Sequence, residues 1–196
     1  IAVAAIIAGA AQHGDRPARC HQPDPFRRAA CGDLHQVGNA GPRIEQRLLG
    51  SAHLGGGENL RTKDIALLHE GPEAFLTMMV LDGVFQRHPT LRGASVELGA
   101  GWVPELLRRL DWVVKHWSRN DANLQGLSRI PSQQLTDQMA FTPFVFEEVG
   151  NFIDQSNPDL YLFSSDYPHI EGGRDPIARF EASLGVRDES VRAKFY

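Results

Sequence analysis

The sequence predicts an α/β fold in which parallel strands are covered by helices. Three observations predict it. From residue 70 onward, apolar residues recur alternately at helical and at strand spacing, giving one helix and then three strand–helix units. Short turns rich in Gly, Pro and Asp join these units, the pattern of a parallel sheet with crossover helices. At 196 residues and 42% hydrophobic, the chain can also bury a core without a disulfide or metal staple.

The elements follow in order. Pro72 suits the first turn of a helix running to Arg87, with Leu76, Met79, Val80, Gly83 and Val84 as its packing stripe. Pro89 breaks the chain. Residues 93–98 read as a strand with Ala94, Val96 and Leu98 on one face and Ser95 and Glu97 on the other. The turn Gly99-Ala100-Gly101 leads to a long helix from Trp102 to Trp117, packed through Val103, Leu106, Leu107, Leu110, Val114 and Trp117. Trp102, Trp112 and Trp117 are expected in core or inter-subunit packing. Residues 118–136 are polar and read as an excursion loop. Residues 138–146 form a second strand, in which Pro143 sits awkwardly. A short helix over 147–155 packs Val149, Phe152 and Ile153, and a third strand covers 159–165. Asp175 and Pro176 start a helix packed through Ile177, Phe180 and Leu184, and Asp188 caps another.

Residues 1–69 are different. Ala, Gly, Arg, Pro and His make 34 of the first 60 residues, and the apolar periodicity fades after residue 11. Disorder, a fold that needs a partner, and out-of-frame translation of GC-rich DNA are three readings of this segment. The apolar opening Ile1–Ala11 has no positive flank, so it reads as a buried strand rather than a signal peptide. Both cysteines, Cys20 and Cys31, lie here; two cannot frame a disulfide scaffold, and a reduced, cytoplasmic setting is expected. The net charge of −4 without a basic stripe speaks against nucleic acid and anionic membrane. No apolar run reaches the ~20 residues of a spanning helix.

Chemistry in parallel α/β folds sits at the carboxyl ends of strands. That rule selects Glu97, the region from Phe144 to Glu147, and Asp166 with His169 and Glu171 behind it. Asp166 follows the apolar Leu160-Tyr161-Leu162-Phe163 and opens a polar turn. It either caps that turn or binds a metal and handles a proton. Glu97 is either a solvated strand-end carboxylate or a buried one needing a partner. No phosphate loop, dinucleotide fingerprint, nucleophile elbow or His-x-His pair occurs.

Several of these segments together resemble the C-terminal part of the amidohydrolase-related family, which includes aminocarboxymuconate-semialdehyde decarboxylase. They are Gly83-Val-Phe-Gln-Arg-His-Pro-Thr-Leu-Arg92, Glu97-Leu-Gly-Ala-Gly-Trp-Val-Pro104, Arg109-Leu-Asp111, Phe163-Ser-Ser-Asp-Tyr-Pro-His169 and Glu171-Gly-Gly-Arg-Asp-Pro176. The resemblance covers residues 70–196 and implies the last part of a (β/α)8 barrel, a metal-dependent hydrolase of an amide or ester-like bond or a decarboxylase of a small acid. Asp166 would be the metal-site and catalytic aspartate, with zinc or manganese as the divalent metal. Glu97 would be the second catalytic group, standing where the decarboxylases carry a His, and His169 and Trp102 would contact the small-molecule substrate. A homo-oligomer is a further expectation. The family's His-x-His is missing and its fifth-strand His has no counterpart; His53 has only a faint likeness to it. By length the chain holds about half of a barrel.

Overall fold

The computed structural model describes residues 66–167 and 172–196. Helix α1, Glu70–Leu81, buries Pro72, Leu76 and Val80 along one line of its surface. The expected helix to Arg87 is cut at Gly83, whose φ of +69° belongs to the left-handed region. A single turn, α2 (Val84–Arg87), follows and buries Phe85, a residue outside the expected stripe.

Strand β1 is Gly93–Ser95 and pairs in parallel with β2, Met139–Phe141; Gly93 lies opposite Met139 and Ser95 opposite Phe141. Tyr161 bridges in parallel to the other side of Phe141, and the Leu162 N–H donates to the Phe141 carbonyl at 3.0 Å. Three extended segments therefore run side by side in the same direction, ordered β1, β2, Tyr161.

The strands are shorter than the sequence suggests. In the second, Pro143 falls outside the ladder, which ends at Phe141. The third is reduced to Tyr161 because Pro158–Leu160 forms a 3₁₀ turn, held by the Asn157 side chain accepting from the Asp159 N–H. Beyond it, the Phe163 N–H donates to the Phe195 carbonyl at 2.7 Å.

Helix α3, Val103–Trp117, buries Val103, Leu106, Leu107 and Leu110, as its period predicts. Its far end leaves the core: Trp112 and Trp117 are each about half exposed and rest against one another at 5.1 Å. That corrects the expectation of core packing for both. Residues 118–136 are not a loop. They contain a 3₁₀ turn at Ser118–Asn120, then α4 (Ala122–Gln125), capped by the Asp121 carboxylate on the Asn123 and Leu124 N–H groups. Next comes α5, Pro131–Gln138, which buries Pro131, Gln134, Leu135 and Gln138.

Helix α6, Val149–Gln155, buries Val149 and Ile153. Helix α7, Pro176–Leu184, starts where predicted, with the Asp175 carboxylate accepting from the Ala178 N–H. It buries Phe180 and Leu184, but Ile177 faces out at 57% exposure. Arg187 ties the end of α7 to α6 through Nε and Nη2 on the two oxygens of Asp154, at 3.1 and 2.5 Å. The last helix, α8 (Glu189–Phe195), has Asp188 at its N-cap position but without a side-chain capping bond, contrary to expectation. Phe195 joins Phe163 and Phe180 in an edge-to-face cluster. No helix among the described residues is long and apolar enough to cross a membrane.

Candidate active site

The carboxyl ends of the three parallel segments lie along one edge, and Glu97, the segment 142–147 and Asp166 follow them in the chain. Two residues beyond β1 stands Glu97. Its neighbour Ser95 is buried, its hydroxyl without a hydrogen-bond partner among the described residues, while Ala94 and Val96 are half-buried. Of the two faces read from the sequence, the inner one at the strand is therefore that of Ser95, while Leu98, past the strand, is buried as well. The alternation also breaks at Glu97, whose φ is +62°. Its N–H points to the Thr142 hydroxyl at 3.4 Å, linking it to the segment leaving β2.

Asp166 is the other such residue, with φ +54°. Among the described residues, these two are the non-glycine positions in the left-handed region. Such a backbone costs an L-residue about 1–2 kcal/mol, less for Asp than for Glu, and strained residues concentrate at functional sites. The Asp166 N–H donates to the Ser164 hydroxyl at 3.3 Å. Gly172 presses against this turn; a Cβ there would lie 2.4 Å from the Ser165 carbonyl oxygen and 3.2 Å from that of Asp166. A glycine at 172 is therefore a condition of the Asp166 geometry.

Between the two carboxylate turns runs the segment 142–147. Glu147 is its anchor. One carboxylate oxygen accepts from Gly101 N–H at 2.9 Å, the other from Ala100 N–H at 2.9 Å and from Phe144 N–H at 2.7 Å. The turn after Glu97 is thus tied to the turn after β2. Glycine suits 99, where φ is +66° and a Cβ would lie 2.9 Å from the Phe144 ring, and at 101 a Cβ would crowd the same carboxylate at 3.0 Å. On the other flank, Val145 reaches within 3.6 Å of the Cβ position of Gly173, just past the Asp166 turn. Phe144 and Phe146 stack nearly parallel, centroids 5.1 Å apart at 18°. The sequence marked this region only by its place after a strand; neither the anchoring role of Glu147 nor the stack was legible.

Trp102 is half-buried beside this edge. Its indole N–H donates to the Gly99 carbonyl at 3.0 Å, and its ring meets Phe141 edge-on at 5.5 Å. His169 and Glu171 lie outside the described residues, as does His53. Beneath the site, burial pushes the Tyr161 phenol up to about 12; the Glu147 charge adds to the rise and the hydrogen bond with Ser156, at 2.8 Å, opposes it. Among the described residues, no group of three His, Cys, Asp or Glu side chains comes together as a metal site.

No protein-family profile matches the chain, and no curated protein does. A solved structure does match: an amidohydrolase from Mycobacterium avium subsp. paratuberculosis K-10, 29% identical over 71% of this chain, with a TM-score of 0.57. The match covers 35% of that protein, so the chain spans about a third of its length. In both fold and sequence, the chain is similar to an amidohydrolase.

Proposed function

We propose that residues 70–196 form the C-terminal part of an amidohydrolase-type (β/α)8 barrel that hydrolyses an amide or ester-like bond in a small molecule. One observation carries this reading: Glu97 and Asp166, both held at positive φ, follow the ends of parallel segments that flank β2. The likeness to a solved amidohydrolase supports it. Asp166 accepts the proton of the attacking water as its oxygen bonds to the substrate carbonyl carbon, then returns that proton to the leaving amine or alcohol. Glu97 orients the water or a substrate group. Trp102 and His169 belong to the substrate side of the site in this reading. The resemblance implies that Glu97 stands where the family's decarboxylases carry a His, which favours hydrolysis over decarboxylation.

The resemblance implies a divalent metal, zinc or manganese. The described residues do not fit one by themselves: Asp166 offers a single carboxylate where a catalytic zinc takes three protein ligands. This shortfall favours one second reading, a catalytically incompetent remnant that acts through self-association.

The test uses the full 196-residue chain, supplied with zinc or manganese, against 4-nitroanilides and 4-nitrophenyl esters. Slow hydrolysis is expected, abolished in Asp166→Asn and reduced in Glu97→Gln, with unchanged far-ultraviolet circular dichroism. Asn tolerates the left-handed backbone, so the first variant isolates the carboxylate. Equal rates in Asp166→Asn refute the site. No turnover by a self-associated chain selects the remnant. Weak metal binding is expected as well; tight stoichiometric metal that is lost in Asp166→Ala overturns that part.

A further inference from the structure

The segment between the two carboxylate turns carries an aromatic pair that the proposed hydrolysis does not use. Phe146 is 60% exposed, unusual for a phenylalanine, and its one ring partner among the described residues is Phe144. The two rings lie within 18° of parallel, so the stack presents a flat outer face. Phe144 is fixed from below: its ring edge stands 2.9 Å from the Cβ position of Gly99, two residues beyond Glu97, and its N–H is held by Glu147. Val145 between them lies 3.6 Å from the Cβ position of Gly173, the neighbour of the Gly172 that packs on the Asp166 carbonyl. The stack is thus built into the part of the edge that touches both candidate carboxylate turns. Offset stacking of a further ring continues an arrangement already present and removes apolar surface from water.

We infer that the Phe144–Phe146 stack is a binding subsite for a planar aromatic group of the substrate, set beside the scissile bond. This rests on the proposed hydrolytic reading for the position of that bond, but the subsite itself can be tested without turnover.

The experiment is a ligand-observed NMR titration of the full chain with acetanilide, an amide bearing a phenyl ring, and with N-cyclohexylacetamide, its saturated counterpart. Wild type, Phe146→Ala and Phe146→Trp are compared. Because Phe146 is mostly exposed, both variants keep the fold, and thermal unfolding checks that they do. The expected result is saturable acetanilide binding, weakened about 3- to 10-fold by Phe146→Ala and restored by Phe146→Trp. The cyclohexyl amide binds more weakly to wild type and is insensitive to either change. Equal acetanilide dissociation constants in wild type and Phe146→Ala overturn the subsite, as does absence of saturable binding to wild type. Hydrolysis that persists in Asp166→Asn, alongside a Phe146-dependent dissociation constant, overturns the reaction and leaves the subsite standing.

Discussion

Replacing Glu147 probes the physical link between the two turns of the candidate site. Its carboxylate accepts three backbone N–H groups, two on one oxygen and one on the other. In Glu147→Ala the three donors lose their acceptor together. Ala100 is fully buried, so its N–H cannot turn to water, and an orphaned buried donor costs about 1–3 kcal/mol. The half-buried Phe144 N–H adds a smaller share, whereas Gly101 is exposed and rehydrates. The expected loss is about 2–5 kcal/mol, a large part of the 5–15 kcal/mol that holds a domain folded. Glu147→Gln separates the contributions. Its amide oxygen can keep the Ala100 and Phe144 bonds, while its NH₂ then faces the Gly101 N–H, so about 1–2 kcal/mol is lost. Urea unfolding measures both, as a lower midpoint at unchanged slope. A Glu147→Ala variant within about 0.5 kcal/mol of wild type, or a Gln variant as damaged as the Ala variant, refutes the clasp.

Two other predictions concern burial. Tyr161 titrates near 12 in the folded chain against 10.0 for the free side chain, so its contribution is complete below pH 10 and is lost as pH rises from 10 toward 12. Because Tyr196 is also pushed up to about 12, the check is the tyrosinate absorbance difference between wild type and Tyr161→Phe followed with pH; Glu147→Gln should bring the buried phenol down, and a Tyr161 difference signal that rises near 10 contradicts the burial. Gly150→Ala places a Cβ 2.2 Å from the Ser183 carbonyl oxygen and 2.4 Å from Arg187 Nη1, forcing α6 away from α7. A loss of about 1–3 kcal/mol in thermal or urea unfolding is expected, and a neutral result would show that the two helices separate freely.

What could be read from the sequence was whatever local pattern decides. The apolar period of α3 and the Asp175-Pro176 start of α7 are of this kind, and so are the places of Glu97 and Asp166 after extended segments. Helix α5 escaped because half of its buried positions are glutamines. Pro131, Gln134, Leu135 and Gln138 recur at helical spacing, but the glutamines read as surface. They enter the core because Gln134 donates to the Arg129 carbonyl and Gln138 to those of His88 and Leu91. Those acceptors lie on other turns, some of them distant in sequence, so no window of the chain reveals them. Glu147 hid for the same reason: two of its three donors belong to the turn after β1, brought near only by the parallel pairing. Trp117 belongs to the apolar stripe of α3 yet lies outside the core, because periodicity reports which face of a helix is apolar, not how far along its length the core extends.

The left-handed backbone at Glu97 has a consequence for how this site persists through mutation. A glycine at 97 would remove a backbone cost of about 1–2 kcal/mol and would give up the side chain's own interactions in exchange. Selection for a folded chain alone thus weighs the backbone strain against those interactions. If the carboxylate serves the proposed chemistry, selection on turnover keeps it there. Libraries of this chain sorted first for folding and then for turnover should therefore diverge at position 97 before they diverge anywhere in the core, and the size of that divergence measures how much stability the site surrenders to its chemistry.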